Sequence, residues 1–175
     1  MDTKTFLKAV LGDDGFYCIF AARSSDNRIA QKFYDDIDTM TRVGADFDSD
    51  GYDVYFGLGT LKTNENRKRK NVKELKSFYL DLDCGPSKEY ASQPEAVAAL
   101  RSFCTTMSLP VPLMVNSGRG VHVYWLLEEA VPLREWAAVA EILKQKCVEH
   151  KFPTDIQVTC DAARILRLPN THNYK

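Results

Sequence analysis

Two carboxylates, Asp81 and Asp83, stand two residues apart in Ser77-Phe-Tyr-Leu-Asp-Leu-Asp-Cys-Gly85, a run that is otherwise mostly apolar. In an extended strand they project from one face, while Leu80 and Leu82 turn to the other. Two acids there are costly unless something neutralises them, and a divalent cation does so most economically. Mg²⁺ and Mn²⁺ are hard ions that favour carboxylate and phosphate oxygens. Two such ions can align an attacking hydroxyl with phosphorus and neutralise a leaving pyrophosphate. A third acid helps to hold them, and Asp161 is the best-placed candidate.

Ser117-Gly-Arg-Gly-Val-His122 is the more discriminating segment. A glycine-rich turn offers backbone N–H groups to phosphate oxygens. Ser117 adds a hydroxyl, and Arg119 a planar fork matched to phosphate. His122 points away from Val121 and Val123, so with those two in the core it faces the open side. The third segment is Asp161-Ala-Ala-Arg-Ile-Leu-Arg-Leu-Pro-Asn-Thr-His-Asn-Tyr-Lys175, where Arg164 and Arg167 follow the acid at turn spacing. Gly57-Leu-Gly-Thr-Leu-Lys-Thr63 echoes a P-loop but has no glycine before its lysine, so it is rejected.

These side chains must be positioned by elements legible from pattern. Residues 16–22 and 52–58 read as strands, and 31–47 as a helix with apolar Phe33, Ile37, Met40 and Val43. Residues 61–76 are polar and aperiodic, which suggests a loop or mobile arm. The acid-bearing strand spans 77–83. A helix follows over 94–107, then strands over 110–116 and 121–127 joined by the Ser117–Gly120 turn. A second amphipathic helix covers 132–148, and short strands with a turn run from 156 to 168. The order is mixed, with adjacent hairpin strands, so the class is α+β.

The length of 175 residues suits one domain, and 45% hydrophobic with 27% charged residues is ordinary for a soluble globular chain. The net charge of −1 does not mark a nucleic-acid binder, but its distribution is uneven. Lys62, Arg67, Lys68, Arg69, Lys70, Lys73 and Lys76 cluster against only Glu65 and Glu74. Such a strip can hold a phosphate backbone. Five scattered cysteines without a C-x-x-C pair argue for reduced thiols in a cytosol and against a zinc ribbon. Neither a signal peptide nor an apolar run of membrane-spanning length is present.

With these segments in this order, the chain resembles the archaeo-eukaryotic-type primases, in particular the primase–polymerase domains of phages and plasmids. The resemblance runs from about Tyr52 to Lys175. The family's acid-x-acid strand matches Asp81-Leu-Asp83, and its serine–arginine–histidine element matches Ser117, Arg119 and His122. Its later aspartate matches Asp161. Phage members continue Asp-x-x-Arg-x-x-Arg-x-Pro-Gly-Thr-x-Asn-x-Lys, and Asn170 stands here at the glycine. Tyr55-Phe56-Gly57 resembles the strand preceding their basic loop.

The resemblance implies an RRM-like antiparallel sheet with packed helices carrying the active site, and a small N-terminal α/β lobe. Residues 1–58 would form that lobe and 59–175 the motif-bearing part of a single domain. It further implies a nucleotidyltransferase, a primase and/or DNA polymerase, joining nucleoside triphosphates on single-stranded DNA. Asp81, Asp83 and Asp161 would bind two Mg²⁺ or Mn²⁺ ions. Ser117, Arg119, His122, Arg164 and Lys175 would contact nucleotide, and Arg67, Lys68, Arg69 and Lys70 the template. A monomer in the host cytoplasm is expected, with a replicative helicase in trans or in a further C-terminal region.

Two rivals explain part of the pattern. An inactive RRM-type binding module would use Tyr79, Tyr124 and Trp125 as exposed aromatics, but leaves the three acids without a role. A metal-dependent glycosyltransferase accounts for Asp-x-Asp and not for Ser-Gly-Arg-x-x-His. Aspartyl-phosphate phosphatases want Thr or Val where Gly85 stands, and a rolling-circle endonuclease wants a His-x-His pair.

Overall fold

Short-range chemistry sets the first elements of the computed structural model, which describes residues 1–174. Lys175, a predicted nucleotide contact, lies outside the described residues. Asp2 caps α1 (Thr3–Val10) by accepting from the Thr5 amide at 2.8 Å. β1 (Tyr17–Arg23) and β2 (Arg28–Tyr34) form an antiparallel hairpin across a polar turn, where Asn27 takes a positive φ of 55°. This corrects the helix expected over 31–47. Phe33 pairs with Cys18 in the hairpin, and α2 (Ile37–Ser49) begins only after Asp36, whose carboxylate accepts from Asp38 and Thr39. Phe33 mimicked a helical period because it lies four residues before Ile37.

β3 (Asp53–Gly57) pairs with β1, and β8 (Ile165–Arg167) pairs with β3, giving an antiparallel sheet ordered β2-β1-β3-β8. The second sheet is β4-β5-β7-β6: β4 (Thr60–Leu61), β5 (Val72–Asp83), β6 (Leu113–Asn116) and β7 (Gly120–Pro132). All its pairings are antiparallel as well. The segment read as a mobile arm is partly ordered. β5 starts at Val72, a 3₁₀ turn covers Arg69–Asn71, and the Asn71 amide donates to the Thr63 and Asn66 carbonyls.

α3 (Gln93–Thr106) and α4 (Leu133–Glu149) begin and end within a residue of the expected ranges. α5 (Ile156–Thr159) is a single turn against β5. Leu80, Leu82, Val121, Val123 and Trp125 pack with Leu100, Phe103 and Cys104 of α3 in one buried cluster. The larger cluster spans both sheets. Phe6 of α1 meets Phe56 of the first sheet and Tyr124 of the second edge-on, at 5.7 and 5.3 Å between ring centroids. The class is α+β, as expected. β8 completes the first sheet and α1 packs against β5 and β7 of the second. No helix among the described residues is long and apolar enough to cross a membrane.

Candidate active site

β5 and β7 bring two of the sequence motifs together by register alone. Asp81 pairs with His122 and Asp83 with Gly120, so the acid strand and the glycine turn end side by side. Ser77, Tyr79, Asp81 and Asp83 share one face of β5, the face turned from α3. Asp81 is mostly buried, with 19% of its side chain exposed, whereas Asp83 is open and ion-pairs with Lys88 at 2.7 Å. Burial, then the neighbouring Asp83, pushes the Asp81 carboxyl up to about 6. Arg164 pulls in the other direction.

His122 sits with Nε2 3.8 Å from Asp81 Oδ1, too long for a hydrogen bond. It faces away from Val121 and Val123 as expected, but it is buried rather than open. Desolvation, then the charge of Arg167, drives its pKa down to about 4, so the ring is neutral at neutral pH. His122 Nδ1 and the Tyr124 hydroxyl are both buried without a hydrogen-bond partner among the described residues. Two unsatisfied polar atoms beside a carboxylate pair mark a place where polar ligand atoms would be welcome.

The turn between β6 and β7 owes its shape to two glycines. Gly118 takes φ 89°, and a Cβ on Gly120 would collide with the Leu82 carbonyl oxygen. Asn116 Oδ1 accepts from the Gly118 amide at 2.7 Å, and the Arg119 carbonyl accepts from Cys84 at 2.8 Å. The Arg119 side chain is exposed beyond this anchored turn. Ser117 is half-buried and its carbonyl accepts from Asn173.

The third acid is where the structure departs from the sequence reading. Asp161 Oδ1 accepts from the Ala163 amide, and its carbonyl receives the Tyr79 hydroxyl at 2.8 Å. Among the described residues no three His, Cys, Asp or Glu side chains converge closely enough to hold a metal ion. Asp81, Asp83 and Asp161 are therefore not gathered into one cluster. The acid that docks beside the pair is Asp155. Its amide donates to the Asp81 carbonyl at 3.2 Å, which also accepts from the Thr154 hydroxyl at 3.0 Å. The Asp155 carboxylate caps α5 and lies 3.6 Å from Arg164 Nη2. Asp155 was missed because it precedes a four-residue helix with no periodicity to flag it, although Thr-Asp after proline is itself a cap signal.

Arg164 contributes to the electrostatics of both Asp81 and His122, so it stands at the site. The basic residues diverge. Lys68, Arg69 and Lys70 are exposed, and Arg69 donates to the Cys160 carbonyl at 3.0 Å. Arg67 turns inward against Gly57 and Cys18. Beyond β8 the tail ties the sheets together. Arg167 Nη1 donates to Asp53 and to the His172 carbonyl, both at 2.8 Å, and Asn173 reaches the glycine turn. Asn170 takes the positive φ, 61°, that glycine takes easily.

No family model matches the chain. A replication protein of Clostridium perfringens is 32% identical over 135 residues, 74% of this chain, and the chain spans about a third of that relative's length. The primase–polymerase domain of cyanophage S-2L superposes with a TM-score of 0.60 over 88% of this chain and 72% of its own, at 14% identity. Primase RepB′ superposes at 0.61 over 99% of this chain and 52% of its own, also at 14% identity. The catalytic domain of RepB′ in complex with initiator DNA gives 0.58 over 98% and 78%, at 13% identity.

Proposed function

From the premise that this chain has the fold of the archaeo-eukaryotic primase catalytic domain, we propose that it is a template-directed nucleotidyltransferase of phage or plasmid replication. The observation that carries the reading is the pairing of Asp81 and Asp83 with the His122–Gly120 end of β7, beside Arg164. Acids suited to cations, a turn suited to phosphate and an arginine beside them are the complement a nucleoside triphosphate requires.

The donor set fits a divalent cation. Asp81 is held at about 6 by burial and by Asp83, a repulsion that a bound cation relieves. Asp81 and Asp83 would hold the ion; Asp155, whose charge acts on Asp81, is the nearer of the two later acids, although neither it nor Asp161 is gathered with the pair into a three-acid cluster. Bound Mg²⁺ or Mn²⁺, two ions by resemblance, would supply Lewis-acid neutralisation of phosphate charge. The chain's own residues do the positioning. The amides of the 117–120 turn and the Arg119 fork grip phosphate oxygens. Arg164 adds charge at the acid end, and neutral His122 offers a donor without competing for the anion. Ser117 lines the same turn. Arg67, Lys68, Arg69 and Lys70 follow single-stranded template, and unwinding is left to a helicase partner.

The test is nucleotide incorporation on unprimed and primed single-stranded DNA with Mn²⁺ or Mg²⁺. Wild type incorporates and the Asp81→Ala/Asp83→Ala double variant does not. Equal incorporation by both removes the acid pair from the chemistry.

A further inference from the structure

The outer side of the acid pair is walled by a short loop whose tip carries Lys88. Asp83 stands opposite Gly120, and the next amide, that of Cys84, donates to the Arg119 carbonyl at 2.8 Å, so the loop is rooted on the glycine turn. Gly85 takes φ 144°, its amide donates to the Tyr90 carbonyl at 2.9 Å, and its carbonyl accepts from the Lys88 amide at 3.0 Å. Buried Tyr90 closes the loop. Its hydroxyl donates to the Pro153 carbonyl at 2.8 Å, which fixes the loop against the segment that carries Asp155. The backbone is thus held at both ends, while the flexible stem of Lys88 can turn.

Loop and segment border a cavity of about 280 Å³ that opens on Asp83. Among the described residues its lining holds three acids, Asp83, Glu89 and Asp155, and one cation, Lys88. Lys88 Nζ lies 2.7 Å from Asp83 Oδ2, and the charges of Asp81 and Asp155 act on it as well. With 48% and 55% of the two side chains exposed, this ion pair is weak and readily exchanged. A divalent cation on Asp83 would set two like charges on one carboxylate, and their repulsion favours release of the ammonium. The anion then within reach is a phosphate held by the 117–120 turn, on which the loop is rooted.

We propose that Lys88 serves two positions in turn: it neutralises Asp83 until a divalent cation takes that carboxylate, and it then carries its charge to the phosphates of the incoming nucleoside triphosphate. The acid pair is thereby never left without a counter-charge, and the cation that is released becomes a nucleotide contact. Arg119 and Lys88 would hold the phosphates from two sides, one from the glycine turn and one from the loop beside it. This rests on the proposed function for both the divalent cation and the triphosphate.

The test is a pair of binding measurements on Lys88→Met, which keeps the stem and removes the charge. Mn²⁺ binding without nucleotide, read from the free-ion paramagnetic resonance signal, should tighten about threefold. Binding of a non-hydrolysable nucleoside triphosphate at saturating Mn²⁺ should weaken about tenfold. The opposite signs are the signature, since a lysine that merely props Asp83 would weaken both when removed. Lys88→Arg, which keeps the charge, should return both affinities to within about threefold of wild type. Mn²⁺ affinity in Lys88→Met equal to or below that of wild type, or undiminished nucleotide affinity, overturns the inference even in a protein that incorporates nucleotide. No Mn²⁺ binding by wild type, or binding that survives Asp81→Ala/Asp83→Ala, refutes the acid pair as the cation site and the inference with it.

Discussion

At the scale of single residues, Asp81 and His122 hold opposite perturbations within one buried pair of strand neighbours. The carboxyl of Asp81 is raised to about 6 from 3.8, so its ionised form is the less stable one in the fold. Stability is therefore lost as pH rises from about 4 to about 6, and the loss is complete above that. His122 runs the other way: lowered to about 4, it costs stability as pH falls from about 6.5. Asp81→Asn should thus raise the thermal stability of the metal-free protein at pH 8 by at most about 3 kcal/mol. The gain should vanish near pH 3, and calorimetric melts in EDTA at the two pH values check it. Added Mn²⁺ should stabilise wild type and leave the variant nearly unmoved. The acid pair itself was legible because alternation in a strand is a local rule. The burial of His122 was not, since it depends on tertiary packing that brings residues as distant in sequence as Arg167 within reach of the ring.

At the scale of elements, the informative segment is 153–164, which passes along β5 from Asp81 back to Tyr79. Two acids on it are separated by α5: Asp155 docks by backbone at Asp81, and Asp161 docks at Tyr79. Asp155→Asn should cut nucleotide incorporation by about tenfold or more. Asp161→Ala should leave the rate within a few-fold while costing about 1 kcal/mol, through the lost bond to the Ala163 amide. Rates and melts of the two purified variants decide between the acids: a loss confined to the Asp161 variant would return the third position to Asp161, and equal activities would remove Asp155 from it. Sequence favoured Asp161 because it heads a long polar motif. The proposed preference for Asp155 rests on a backbone hydrogen bond to Asp81, which composition cannot display. The helices α3 and α4, by contrast, were readable within a residue because their apolar stripes pack on a sheet. β2 was misread because Phe33 satisfies both periods.

At the scale of the whole molecule, the core joins the two sheets, and the tail ties the edge of the first sheet to its β3 strand and reaches the glycine turn of the second through Asn173. Arg167 and Asp53 form a nearly dry ion pair, with 9% and 1% of their side chains exposed. Asp53 also accepts from the Tyr174 amide, so one carboxylate fastens strand and tail together. Asp53→Ala leaves a buried guanidinium unpaired and should cost roughly 3–5 kcal/mol in urea unfolding. Arg167→Met with Asp53→Leu should recover much of that stability. Nothing in the sequence announced this pair, whose members lie 114 residues apart.

The placement of β8 has a consequence for biosynthesis. A sheet begun by residues 17–57 receives its fourth strand from residues 165–167, after the whole second sheet has been made. A nascent chain emerging from the ribosome carries β3 with a bare edge for most of its translation. Arg167 joins Asp53 only when that delay ends, so this ion pair and the electrostatic surroundings of His122 mature in the same late step.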